Sequence, residues 1–316
     1  MEGLIAVTYR CNAKCTMCNI WKYPSKKEEE ITLSDIERLP KMSFTNITGG
    51  EPFLREDLEE IIKIIRKKTK RIVISTNGYF TDRIVHLAEK YKDIGIRISI
   101  EGLPKVNDEL RGIKNGFDRG LRTLLALHQL GLKDIGFGIT VSDANAEDMM
   151  MLYELSKAMN LEFATAVVHN TYYFHKFDNK ITKKALLNKE FDKLIKDLLC
   201  SRRVKNWYRA YFNFGLKNYI NGGKRLLPCE AGTVFFYMDP FGEIRPCNGM
   251  EVSMGNLKYA PFEKIWNSEE AKKVRDLVAN CDKNCWMTCS VRPAMKKYIW
   301  KPTMWIIKNK LRNLLR

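Results

Sequence analysis

Six short apolar runs alternate with amphipathic helical stretches through the first half of this 316-residue chain, and that alternation restricts the fold more than any other feature. The strand-like runs are Leu4–Thr8, Phe44–Thr48, Arg71–Thr76, Gly95–Ile100, Ile135–Val141 and Glu162–Val168. Between them, helical periodicity covers Leu33–Leu39, Glu56–Lys68, Thr81–Tyr91, Phe117–Leu130 and Ala146–Met159. Ser34 and Asn145 stand where helix caps are expected. Strands that alternate with helices make a parallel sheet. Six β/α units are too few for a closed eight-stranded barrel, and ligands of such sheets collect at the carboxyl ends of the strands. Residues 171–227 read as a helical bridge, with helices near Lys183–Leu199 and Val204–Tyr219. Residues 228–295 form a cysteine-rich region that opens on a β-hairpin around Asp239-Pro-Phe-Gly242. No internal repeat or low-complexity segment occurs.

The chemistry is announced by the cysteines. Cys11-Asn-Ala-Lys-Cys15-Thr-Met-Cys18 follows the first strand directly, on the ligand-binding end of the sheet. Three thiolates at this spacing let one loop hold three irons of a [4Fe–4S] cube and leave the fourth iron open. Zinc would ask for a fourth cysteine or histidine in a nearby pair. Nothing of that kind follows before residue 200, and of His86, His128, His169 and His175 only the last two approach a ligand spacing. Cys229, Cys247, Cys281, Cys285 and Cys289 form the second group, for which both an iron–sulfur cluster and a zinc knuckle are open. Cys200 stands apart in an apolar helical pattern, suited to a core position or to donating hydrogen.

Lys and Arg number 54 against 37 acids, a net charge of +17. Such a surface suits anionic partners, from acidic redox proteins to membranes. Nucleic acid is not expected, because no recognisable binding module accompanies the charge. No apolar run reaches a membrane span and no signal peptide precedes Leu4, so the expected location is cytoplasmic, with thiols reduced. The tail, 296–316, reads as a basic amphipathic helix that either touches an anionic membrane or a lipid-linked substrate, or packs across the sheet.

The Cys11–Cys18 loop resembles the CxxxCxxC signature of the radical S-adenosylmethionine (SAM) superfamily, with Met17 where an aromatic residue is frequent. Thr48-Gly49-Gly50-Glu51-Pro52 resembles the family's GGEP motif, and Ser99-Ile-Glu101-Gly102 its S-L-D-G pattern. The resemblance implies a partial (β/α)6 barrel over residues 1–170. It implies that one [4Fe–4S] cluster on Cys11, Cys15 and Cys18 binds SAM, with Met17, Gly49, Gly50, Glu51, Ser99, Glu101 and Arg111 around that cofactor. Asn145 and Ala166 are further candidates for the pocket. Cys229-x12-Gly242-x4-Cys247, Met254-Gly-Asn-Leu257 and Pro261–Ser268 resemble the SPASM/twitch extension. They imply a small C-terminal domain with one auxiliary [4Fe–4S] cluster on four of the five cysteines, the spare one or Cys200 serving as hydrogen donor.

The expected activity is hydrogen abstraction from a substrate C–H bond, with electrons from a flavodoxin- or ferredoxin-type donor. With the barrel starting at residue 4 and no preceding recognition domain, the expected substrate is a sugar, cyclitol or lipid-linked small molecule, dehydrogenated or epimerised. Maturation of a ribosomally made peptide is the alternative. A non-catalytic iron–sulfur electron carrier is the alternative of another class, and it would need no Gly-Gly-Glu-Pro strand end. RNA modification rests on charge alone.

Overall fold

The computed structural model describes residues 1–314, with side chains as far as Leu311. Leu315 and Arg316, the end of the expected basic helix, lie outside the described residues. The six apolar runs form strands β1 (Glu2–Ala6), β2 (Phe44–Thr48), β3 (Ile72–Thr76), β4 (Gly95–Ser99), β5 (Ile135–Val141) and β6 (Glu162–Val167). They pair in parallel and in sequence order. Helices α1 (Leu33–Ile36), α2 (Leu58–Arg66), α3 (Thr81–Lys90), α4 (Pro104–Arg111), α5 (Gly116–Gln129) and α6 (Asp148–Ala158) connect them. The amphipathic logic is plain in α2, where Leu58, Ile61, Ile62 and Ile65 are buried on one face.

Two expected caps differ. Thr32, not Ser34, caps α1, in a reciprocal box with Asp35. Asn145 does not cap α6; its side chain is used elsewhere, as described below. α4 escapes periodicity because it is short, with Asn107 its one buried side chain. Its signal is the Pro104 at the first turn and the left-handed Gly112 past its end.

α7 (Lys184–Cys200) and α8 (Val204–Ile220) pack on one another, α7 against α6 and α8 against β6. The expected hairpin is β7 (Phe235–Met238) and β8 (Glu243–Arg245), followed by β9 (Gly255–Asn256). It is not a separate sheet. β7 adds in parallel to β1, pairing Glu2 with Phe235 through Ile5 with Met238, so all nine strands make one sheet in the order β6-β5-β4-β3-β2-β1-β7-β8-β9. All four β7 residues are buried, as a strand inside a sheet covered on both faces requires. This second partner holds β1 at Glu2–Ala6, two residues before the expected start.

α9 (Phe262–Trp266) and α10 (Glu269–Ala279) follow, then α11 (Thr288–Lys297) and α12 (Trp300–Leu314). The tail is thus two helices broken at Tyr298–Ile299. One face of α12 packs inward, Trp305 stacking on Phe214 at 4.9 Å and meeting Tyr211 at 5.5 Å between ring centroids.

Candidate active site

The Cys11–Cys18 loop is held by backbone from three sides, which leaves its side chains free to face one another. On the β2 side, the Gly50 and Glu51 N–H groups donate to the carbonyls of Thr8 (2.7 Å) and Arg10 (2.8 Å). On the α4 side, the Lys14 and Thr16 N–H groups donate to the Arg111 and Leu110 carbonyls, at 3.0 and 2.8 Å. Across the loop, Asn19 donates to the Phe174 carbonyl (2.8 Å), and Asn179 Nδ2 to that of Met17 (3.2 Å). The Gly-Gly pair is needed for the first of these contacts. A Cβ on Gly49 would stand 2.2 Å from the Thr8 oxygen, and one on Gly50 would stand 2.3 Å from the Arg10 oxygen. The close approach expected at this strand end is an approach to the chain's own cysteine loop.

Burial pushes the Cys11 and Cys18 thiols up to about 12, the neighbouring Cys15 thiol adding to the effect while the Arg111 guanidinium opposes it. Cys15 is raised by burial too, again against Arg111. The three thiols, each partly buried, therefore gather around one guanidinium. Arg111 turns inward rather than to the surface. Its Nη1 donates to Glu101 at 2.9 Å, with both side chains nearly enclosed, and its Nε has no hydrogen-bond partner. A buried donor left over beside three thiols is what an absent anionic group would satisfy. The donor set fits an iron–sulfur cluster with a carboxylate-bearing cofactor.

Glu101 accepts a second bond, from the Thr140 N–H at 2.6 Å, and burial raises its carboxyl above the usual range. Asn145 Nδ2 donates to the Glu101 carbonyl (2.6 Å) and the Thr140 carbonyl (3.0 Å), so this buried amide fastens the ends of β4 and β5. Glu51 is fully buried, and its carboxylate accepts from Thr76 Oγ1, the Asn77 N–H and the Phe53 N–H. It builds the strand-end framework, and no open face of it remains for a cofactor. Asn77 in turn donates to Asn12 Oδ1 inside the cysteine loop, at 2.7 Å. Sequence reasoning passed over Asn12, Asn77 and Asn179, which carry no spacing signature.

The five C-terminal cysteines come together. Cys229 and Cys285 stand close enough to Cys247, Cys229 and Cys281 close enough to Cys285, and Cys247 and Cys285 close enough to Cys289, to raise the pKa of Cys247, Cys285 and Cys289. Burial is the largest cause, taking Cys247 and Cys289 up to about 12. Arg225, which sequence reasoning missed, donates to the Cys285 carbonyl and lies 3.8 Å from its sulfur. Among the described residues no three ligating side chains converge as a single metal ion requires. Both thiol groups pack against the same small cluster, which contains Tyr9, Tyr173, Phe235 and Tyr237. Tyr173 donates to the Gly49 carbonyl at 2.8 Å.

A cavity of about 580 Å³ runs through the concave side of the sheet. Ser99, Glu101 and Ala166 line it at the carboxyl ends of the strands, and Cys289 lines it from α11. Met17 is half-buried at the cysteine loop and is not among its lining residues. Cys200 is exposed at the last residue of α7 and does not line the cavity, which corrects both the core and the hydrogen-donor expectations for it. The apolar pattern around it belongs to Leu194, Ile195, Leu198 and Leu199, the buried face of that helix.

The radical SAM superfamily model matches residues 5–156 and the SPASM iron–sulfur cluster-binding domain matches residues 229–290, between them more than half of the chain. The chain belongs to the radical SAM superfamily, with a SAM-binding [4Fe–4S] cluster as cofactor, and carries a C-terminal SPASM domain for auxiliary iron–sulfur binding. It is similar to the Fe-coproporphyrin III synthase of Methanosarcina barkeri, 34% identical over 158 residues, which are 47% of this chain and 39% of that protein. It is 26% identical to the AdoMet-dependent heme synthase of the same organism over 85% of this chain and 83% of that one. The antilisterial bacteriocin subtilosin biosynthesis protein AlbA of Bacillus subtilis is 25% identical over 87% of this chain and 61% of its own length. Among solved structures, Streptococcus suis SuiB bound to S-adenosylmethionine shares the fold, with a TM-score of 0.67 and 18% identity over 90% of this chain and 72% of SuiB.

Proposed function

We propose that this chain is a SAM-dependent radical enzyme that removes hydrogen from an apolar-bodied, acid-bearing substrate held in the barrel cavity. The observation that carries the reading is the reach of that one cavity. It touches Glu101, whose carboxylate grips Arg111 beside the first thiols, and also Cys289 of the second group. Cys11, Cys15 and Cys18 hold the SAM-binding cluster in this reading. Four of Cys229, Cys247, Cys281, Cys285 and Cys289 hold one auxiliary cluster. When bound, the first cluster and SAM supply a 5′-deoxyadenosyl radical, and the auxiliary cluster supplies an electron acceptor beside the substrate.

The chain's own residues do the positioning. Arg111 offers its free Nε to the cofactor's carboxylate, Glu101 keeps that guanidinium in place, and Ser99 lines the adjoining cavity. The cavity wall includes Leu4, Val73, Ile139, Phe163, Phe212 and Phe235, an apolar lining for a carbon radical. At its other end Glu2 is shared by Arg292 and Lys296 and Glu162 by Lys205 and Arg209, and the cavity is also lined by Arg71 and Arg97, which share Asp134 outside it. The surplus positive charge suits a carboxylate or phosphate on the substrate. Of the substrates expected from sequence, a free sugar or cyclitol fits this wall worst and a lipid-linked molecule fits it well. The tetrapyrrole-forming relatives support an acid with an apolar body, and AlbA supports the second reading, a peptide side chain in the same cavity.

The test is anaerobic reconstitution with iron and sulfide, followed by SAM and dithionite. Wild type is expected to release 5′-deoxyadenosine, the Cys11/Cys15/Cys18→Ala variant none, and Cys200→Ser as much as wild type. Iron-loaded wild type that leaves SAM intact would make the protein an electron carrier and end this reading.

A further inference from the structure

α12 has two apolar faces, and only one is covered. Trp305 and Ile306 face the body of the protein, Ile306 buried. Trp300, Met304, Ile307 and Leu311, spaced four, three and four residues apart, share the opposite side and are 56, 63, 54 and 55% exposed. With Ile299 they make five of the thirteen exposed large apolar side chains among the described residues, all within one short stretch. Scattered exposed apolar residues are ordinary, but a contiguous stripe marks an interaction surface. No aspartate or glutamate follows Asp282, and Lys301 and Lys308 lie on the helix that carries the stripe.

We propose that this face of α12 seats on the surface of an anionic lipid bilayer, its stripe among the upper acyl segments and its lysines at the headgroups. Charge chooses this occupant over a second copy of the chain. Two acid-free, lysine-bearing helices on proteins of net charge +17 repel one another, whereas anionic headgroups neutralise them. No helix among the described residues is long and apolar enough to cross a membrane, so the contact is at the surface. The docked helix is also joined to the cavity wall. Ile299, Met295 and Tyr208 line the cavity, and the Tyr208 hydroxyl hydrogen-bonds Thr303 of α12 at 2.9 Å. A docked enzyme would therefore hold its substrate chamber at the lipid surface; that consequence rests on the proposed function, while the docking does not.

Flotation of the full-length, iron-loaded protein with vesicles tests the docking. With phosphatidylglycerol vesicles the bound fraction is expected to exceed that with phosphatidylcholine by at least about tenfold and to fall as salt rises. The Trp300→Ser/Met304→Ser/Ile307→Ser/Leu311→Ser variant is expected to lose binding by at least about tenfold, with unchanged melting temperature and 5′-deoxyadenosine yield. Failure of wild type to float, or equal flotation of the variant, would overturn the proposal. So would sedimentation showing a wild-type dimer that this variant dissolves, since a second copy would then own the stripe. Loss of 5′-deoxyadenosine in wild type with flotation intact would count against the enzyme reading alone.

Discussion

Gly50→Ala puts a single methyl group against the backbone that leads into the cysteine loop. Its Cβ would lie 2.3 Å from the Arg10 carbonyl oxygen and 2.7 Å from the carbonyl carbon, where ordinary contact begins at 3.4 Å. The obstacle is backbone, so no side-chain rotation relieves it. The Arg10 peptide must retreat by about 1 Å. Its carbonyl now accepts from the Glu51 N–H at 2.8 Å, so a retreat of that size breaks the bond and weakens its neighbour from Gly50 to Thr8. A lost hydrogen bond costs about 1 kcal/mol, and forced overpacking adds about 1–3. The sum, about 2–4 kcal/mol, lowers the melting temperature by roughly 3–6 °C in a protein of this size. Cys11 is the next residue, so iron retained per chain should fall as well. The control is Gly138→Ala on β5, where nothing lies within 4 Å of the added Cβ. That change is expected to be neutral or to stabilise by about 0.5 kcal/mol, through the lost freedom of the unfolded chain. Differential scanning calorimetry of the apo proteins and iron analysis of the reconstituted ones read both quantities. Gly50→Ala with the iron content and melting temperature of wild type would show that the glycine does not set the position of the loop.

Two further perturbations follow from the buried and partly buried charges. Arg111→Met strands the Glu101 carboxylate in a pocket where the two side chains are 11 and 4% exposed, and should cost about 3 kcal/mol. The Glu101→Gln/Arg111→Met double variant should lose less than the two single losses added together, a coupling of at least about 1 kcal/mol in denaturant titrations of the four proteins; strict additivity would refute the pairing. Burial alone would raise the Glu162 carboxyl, but Arg209 and Lys205 overcome it and hold the group below the usual carboxylate range. A depressed folded pKa means that the stabilisation is complete above the ordinary pKa and is lost as pH falls through the lowered one. Between about pH 5 and pH 3 the melting temperature of wild type should therefore fall more steeply than that of Glu162→Gln, and parallel curves would refute it.

Several elements were readable from residue order because their physics is local. The period-two burial of β2 and β6 and the helical stripe of α2 follow from side-chain direction along a strand or helix. The Asp239–Gly242 turn is likewise written in its own residues. α4 was missed because its surroundings, not its own apolar period, keep it in place: Asn107 Oδ1 accepts from the Glu101 N–H at 2.9 Å, and the carbonyls at its end receive the cysteine loop. Asn145 shows the opposite error. Its residue type and position suit a cap, but its oxygen accepts from Ser142 in its own loop and its nitrogen donates to the Glu101 and Thr140 carbonyls.

The sequence by itself determined that three thiols share one loop at the carboxyl end of a parallel sheet, because an eight-residue spacing cannot carry them far apart. It also determined that a second set of five lies in one region. Which partners those thiols meet was decided by tertiary structure alone. β7 closes on β1 across more than 200 residues of chain, the Arg111 guanidinium turns inward to Glu101, Arg225 reaches Cys285, and Cys289 faces the cavity while Cys200 faces solvent. These contacts depend on burial, and burial is a property of the packed whole: the same residue types stand on a surface or in a core according to what the rest of the chain places over them.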